Sequence, residues 1–215
     1  MLLSTAYFPP VSYFALLARD FFLSGDRVEP SVVFLEACEH YQKQSWRNRC
    51  LICTEGGAQP LRVPIVHDGD GRPLPIREVR VDWSTPWLLR SERAIDSAYH
   101  TSAYFDHYRD ELYAVLEARP ERLFDLNLSL IRFFLDKTGI ACDLRLTETF
   151  EPEGGTDDYR ERIHPKRPDT VLRDLALEKP YFQVFAQKYG FLSNLSVMDL
   201  LFNEGPDAIL WLKRP

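Results

Sequence analysis

The sequence predicts an α/β fold, a mixed sheet with a helical segment in the middle of the chain, and three observations predict it. Residues 1–3 are a short apolar start, followed by Pro9-Pro10 and a helical stripe of Val11, Phe14, Ala15, Leu17 and Ala18. That reads as strand, turn and helix. Two apolar runs, 49–53 and 61–65, flank Gly56-Gly57, a hairpin signal in which glycine supplies positive φ. Residues 85–139 then carry helical spacing, and 140–146 return to strand.

The elements follow in order. A second strand is expected at 32–35 and a loop at 25–30. Residues 67–75 hold two glycines and two prolines and read as surface loop. Residues 76–82 alternate as a strand with one wet face. Thr85 and Pro86 suit a helix start, with helices expected at 87–99, 105–119 and 121–137. Gly139 suits the C-cap of the third. His100 and His107 read as packing residues among helical aromatics. Residues 150–168 form the longest irregular stretch, the kind that often becomes a binding loop. A last helix is expected at 192–203, capped near Ser193 or Asn194, and a last strand at 209–212.

Composition bounds the function. The chain has 215 residues, 45% hydrophobic and 27% charged, with net charge −6. That supports one domain with a sizeable core. An acidic balance argues against nucleic-acid binding, which needs a basic face. No apolar run approaches the roughly 18 residues of a membrane span. The N-terminus lacks a charged, signal-like opening, so the cytoplasm is expected. Cys50 and Cys53 form Cys-x-x-Cys in an extended run that places them on opposite faces. No second pair completes a zinc site, and buried free thiols are the expectation. No metal is predicted, and no cofactor can be named.

The most informative stretch is 40–49, His-Tyr-Gln-Lys-Gln-Ser-Trp-Arg-Asn-Arg, with three cations and no acid. Lys43, Arg47 and Arg49 match a phosphate or carboxylate, since guanidinium groups grip such oxyanions bidentately. Trp46 suits stacking on a ring. The plainer alternative is a solvated basic edge strand with Trp46 plugging the core. A second cationic cluster, His164, Lys166 and Arg167, lies in the long loop. His40 and His164 are candidate catalytic bases, because neighbouring cations depress an imidazole pKa. Asp199, set among apolar residues, is either a buried partner for a cation or the wet face of a helix. Tyr7 and Tyr13 either line the pocket or are core residues with a polar tip. Asn48, Gln183 and Asn203 are candidates for hydroxyl contacts.

Several of these blocks together resemble the WbqC-like family, in the short form of Bacteroidetes-type bacteria. They are Ala6-Tyr7-Phe8-Pro9-Pro10 with Tyr13-Phe14, Glu39-His40-Tyr41 with Lys43-Gln44-Ser45-Trp46-Arg47-Asn48-Arg49-Cys50, and Ile163-His164-Pro165-Lys166. Pro180-Tyr181-Phe182-Gln183 and the run from Leu195 to Pro206 complete the resemblance, which extends nearly end to end. It implies a transferase of surface-polysaccharide assembly, with glycyl transfer to a sugar as one described activity. One departure stands out. Wider members open with a His-Gln-Pro triplet, and Leu3 occupies that His position here.

Two function classes follow. One is a transferase holding a small anionic activated substrate, a nucleotide sugar or activated amino acid, between the two cationic clusters. The other is a non-catalytic protein binding a phosphorylated sugar or a partner; a homodimer is compatible with either. A scaffold using the aromatic helices of 87–108 is a weaker third. Arg47→Ala is expected to abolish anion binding with the fold intact.

Overall fold

Three short parallel strands frame the molecule. The computed structural model describes residues 1–24, 30–66, 73–152 and 155–213. Strand β1 (Leu2–Ser4) leads through Pro9-Pro10 into helix α1 (Val11–Ser24), and strand β2 (Ser31–Glu36) returns parallel to β1. Parallel neighbours need a long crossover, and α1 is that crossover. Leu3, Val33 and Leu35 point to one face and are fully buried, while Phe34 points to the other and is 39% exposed. The pleat therefore gives the sheet one covered face and one more open face.

A long excursion separates β2 from its next neighbour. Strands β3 (Arg49–Thr54) and β4 (Gly57–Arg62) form an antiparallel hairpin. Gly57 sits at φ 91°, a conformation that side chains avoid, which closes the two-residue turn. Helices α2 (Trp87–Tyr99), α3 (Phe105–Glu117) and α4 (Leu123–Thr138) follow, and Gly139 caps α4 at φ 70° as expected. Strand β5 (Cys142–Leu146) then pairs parallel with β2, so the order is β1-β2-β5. Short helices α5 (Val171–Asp174) and α6 (Ala186–Tyr189) precede α7 (Val197–Glu204) and α8 (Ala208–Leu212). Buried apolar residues from Leu3 to Leu212 join in one hydrophobic cluster.

Four local expectations are corrected. Residues 76–82 form a 3-10 turn, Ile76–Glu78, and isolated bridges of Arg80 to Arg122 and Val81 to Ile65, because among the described residues no strand runs alongside them. The stretch 209–212 is helical: Ala208, Trp211 and Leu212 are buried at helical spacing, a period that four apolar residues alone cannot declare. The last long helix begins at Val197, since the Leu192 N–H bonds to the Gln183 side chain and holds that segment out of the helix. Ser196 supplies the cap, accepting from the Met198 N–H at 3.2 Å. His100 is exposed rather than packed, and His107, although exposed, sets its ring edge-on against Tyr108 at 4.7 Å. Most of the expected 25–30 loop and part of the 67–75 loop lie outside the described residues.

Candidate functional site

Ligands of open α/β sheets settle at the carboxyl ends of the strands, and here that edge is built from charge. Ser4 ends β1, Glu36 ends β2, and Thr147 follows β5. Glu36 is fully buried. Its carboxylate accepts from the Thr147 hydroxyl at 2.6 Å, the Cys38 N–H at 2.9 Å and the Arg160 guanidinium at 2.8 Å. Three residues on, Glu39 receives both Nε and Nη2 of Arg47, a bidentate grip, while the Ser4 hydroxyl donates at 3.0 Å. Burial pushes the Glu39 carboxyl above its ordinary value, against the pull of Arg47 and Ser4. Two acids and two arginines thus interlock under the strand ends.

A narrow cleft opens on this array. Ser4, Thr5, Tyr13, Trp46, Arg47, Tyr159 and Arg160 line it, and about 10 Å³ admits a water centre, roughly one water. The Tyr13 hydroxyl donates to the Ser4 carbonyl at 3.1 Å. The segment 46–48 is held by backbone: the Tyr7 N–H donates to the Trp46 carbonyl, and the Asn127 side chain donates to the Arg47 carbonyl at 2.7 Å. Phe8, wholly buried at φ 45°, makes the sharp bend that allows the first of these contacts.

The second cationic cluster meets this stretch. Glu161 accepts from Gln42 at 3.1 Å and from Arg167 at 2.8 Å. Burial depresses the His164 pKa, Glu161 opposes the depression, and the cations Arg47, Arg167 and Lys166 add to it. The Lys166 N–H donates to His164 Nδ1 at 3.2 Å, so a neutral imidazole carries its proton on Nε2. The ammonium groups of Lys43 and Lys166 are exposed and have no partner among the described residues. Arg49 donates to the Gln44 carbonyl at 2.6 Å and lies 6.0 Å over the Trp46 ring.

Other predicted residues lie elsewhere. His40 is exposed, its backbone bridged to Pro75. Asn48 donates to the Val63 carbonyl at 3.0 Å. Tyr7 is fully buried with its hydroxyl towards Ser91. Asp199 is 1% exposed in a separate network: Tyr181 donates to it at 2.6 Å, Gln183 at 2.9 Å, and Tyr99 faces it. The Asn203 amide donates to the Asp199 backbone carbonyl, so Asn203 and Gln183 both belong to this sealed cluster. Its partners are phenols and amides, so Asp199 is neither the partner of a cation nor the wet face of a helix, the two alternatives the sequence left open. Without a cation to offset burial, the Asp199 carboxyl is pushed up to about 6. His40, His164 and Asp199 are therefore not brought together. The expectation that Arg47→Ala leaves the fold intact is also corrected, because Arg47 is 2% exposed and neutralises a buried acid.

Comparison with known proteins fixes the lineage. The sequence profile of the WbqC-like protein family matches residues 5–168. The chain belongs to the WbqC-like protein family. The protein of Mycobacterium tuberculosis described as "Uncharacterized protein Rv1507c" is similar, 27% identical over 230 residues, covering 96% of this chain and 94% of that one. No solved structure matches. The WbqC-like match takes in the cleft apart from its β1 residues Leu3 and Ser4, both cationic clusters and β5, whereas the Asp199 network belongs largely to the segment beyond it.

Sequence reasoning placed Ser4 with Tyr7 and Tyr13 as a candidate pocket residue but missed Glu39, Tyr159 and Arg160. Glu39 stands one residue before the basic stretch, outside the run that carries the charge signal. Arg160, among the mixed charges of 157–162 in a long loop, carries no signal of its own. Glu36, an acid ending an apolar strand run, was the readable clue, since a buried carboxylate demands a partner.

Proposed function

We propose that this WbqC-like protein is a transferase of surface-polysaccharide assembly that binds a small anionic activated substrate at the carboxyl edge of its parallel sheet. One observation supports the reading above others: segments 40–49 and 159–167, far apart in sequence, are joined by the Gln42–Glu161 bond beside a cleft lined by Trp46, Tyr13 and Tyr159. That cleft has room for about one water, so the substrate would lie outside it, over its rim. The unpaired cations there are lysines. Lys43 and Lys166 meet the anion, and Arg47 holds the floor in shape through Glu39. His164 offers Nε2–H as a donor to a substrate oxygen, because its Nδ1 is already accepting. Preorganised donors of this kind stabilise charge as it develops. The absence of a membrane-length apolar helix among the described residues is compatible with a cytoplasmic site of action.

A second reading, binding without chemistry, is favoured by the mutual neutralisation of Glu39 and Arg47 within the wall. Thermal unfolding with a panel of nucleotide sugars tests anion binding. A ligand at about 100 times its Kd adds roughly 2.7 kcal/mol to the folded state. A rise in Tm that Lys43→Ala/Lys166→Ala removes is expected; an equal rise in that variant contradicts the placement. Product release from the bound ligand, lost in His164→Ala, separates transferase from binder.

A further inference from the structure

Exposed strand edges invite pairing with another chain unless something blunts or covers them, and the edges of this molecule differ in that respect. At β1 the Leu2 carbonyl accepts from the Tyr159 N–H at 3.0 Å, and Leu2 is bridged to Asp158, so that edge is covered. In the hairpin the Leu51 carbonyl points away from β4 and accepts from the Ser196 N–H at 2.9 Å. Pro60, opposite Leu51 in the register, therefore turns its own backbone to the outer edge of β4, where it has no N–H to offer a further strand. Strand β5, the last in the order β1-β2-β5, has neither protection among the described residues.

The ladder shows which groups of β5 are free. The Thr147 N–H donates to the Leu35 carbonyl of β2 at 3.0 Å. Alternation then directs the N–H and C=O groups of Asp143 and Arg145 towards β2, and those of Cys142, Leu144 and Leu146 outward. Among the described residues these outward groups have no hydrogen-bond partner. Leu144 and Leu146 lie beside the fully buried Val33 and Leu35, yet both are only half-buried, because the sheet stops at β5.

The sequence of this edge, Cys-Asp-Leu-Arg-Leu, is complementary to itself in one antiparallel register. With a two-fold axis at Leu144, Leu144 meets its own copy, Cys142 meets Leu146, and Asp143 meets Arg145 on both sides of the axis. The outward groups of Leu144 then form a hydrogen-bonded pair, while Asp143 and Arg145 fall at non-hydrogen-bonded pairs, where side chains stand closest. One face of the seam is apolar. On the other, the Asp143–Arg145 pair within each strand, 2.6 Å apart, joins its copy in a ring of four alternating charges. Moving the axis to 143 or 145 sets Asp against Asp or Arg against Arg.

We infer that β5 pairs antiparallel with the β5 of a second copy of this chain, about a two-fold axis at Leu144, joining two parallel sheets into one of six strands. The inference stands independently of the transferase reading. One five-residue edge per copy is a small interface, so a dimer that dissociates on dilution is expected rather than a permanent one.

Sedimentation velocity of the full chain, diluted from about 100 μM, tests it. Wild type is expected to pass from dimer to monomer on dilution, with the Leu144 amide exchanging more slowly in the dimer. Asp143→Arg sets Arg against Arg, and Arg145→Asp sets Asp against Asp, so each is expected to dimerise at least about tenfold more weakly. The double exchange Asp143→Arg/Arg145→Asp is expected to restore the dimer. A mixture of the two single variants is expected to form a heterodimer, because two arginines of one then face two aspartates of the other; that recovery also excludes misfolding as the cause of the loss. Wild type that stays monomeric throughout would overturn the inference. Fast exchange at Leu144 would then leave the edge to a strand of a different protein, and slow exchange would show that this chain covers its own edge. A dimer indifferent to both charge reversals, or losses that neither the mixture nor the double exchange recovers, would overturn it as well.

Discussion

Glu39 and Asp199 are both buried carboxylates, and the protein treats them differently. Glu39 meets a guanidinium and a serine at the edge of a cleft. Asp199 meets the Tyr181 phenol and the Gln183 amide in a sealed interior, with Tyr99 facing it. Burial drives both carboxyls upward. Only at Glu39 does a cation resist the drift, so there the charge pair, and not a proton, satisfies the acid. A charge kept at a sheet edge beside open space suits a binding floor. A carboxyl allowed to take a proton, sealed by tyrosines, suits a clasp between the segment around Tyr181 and α7.

The largest effect expected is Arg47→Ala. It strands Glu39 without a counter-charge, at a cost of about 3 to 5 kcal/mol. Denaturant unfolding checks it, and the double variant Glu39→Gln/Arg47→Met should recover much of the loss. No recovery would mean that Arg47 matters through packing rather than charge, and the contrast with Asp199 would weaken.

Asp199→Asn sharpens the same contrast through pH. The folded-state value of about 6 lies above the ordinary 3.8. The folded protein therefore holds a proton that the unfolded chain has released between those values. That contribution is fully present below about pH 4 and lost as pH rises through about 6, a swing of roughly 3 kcal/mol at about 1.4 per unit. Stability curves of wild type and Asp199→Asn should diverge across this window, with the amide variant flatter.

Gly205, which follows α7, comes next. Its φ is 56°, and a Cβ there would stand 2.5 Å from the Tyr104 ring. Gly205→Ala is expected to cost about 2 kcal/mol from strain and clash together, read as a lower denaturation midpoint. The smallest effect on stability belongs to Lys43→Ala and Lys166→Ala. Each should stay within about 0.5 kcal/mol of wild type, because neither ammonium has a partner to lose among the described residues.

Some of this was readable from residues alone. The strand–turn–helix opening, the hairpin and the three middle helices follow from periodicity, glycine and proline. The basic stretch declared itself by lacking any acid. What periodicity could not reveal is tertiary closure. Nothing local says that Arg160 reaches Glu36, or that Gln42 meets Glu161, because 124 and 119 residues separate those pairs. Arg47 looked like a free anion hook only because its true partner, Glu39, is an acid that the sequence sets just outside the cationic run. Asp199 was recognised as unusual, yet its donors are neutral and so left no charge pattern to read.

The central claim is that Lys43 and Lys166, from two distant segments, grip one anion at the sheet edge. Phosphorus NMR titration of a nucleoside diphosphate sugar into wild type, each single lysine variant and the pair tests it most directly. The account predicts saturable shifts in wild type, affinity about tenfold weaker in each single variant, and no saturable binding in the pair. Full-strength binding in the paired variant, with the fold intact, would contradict it.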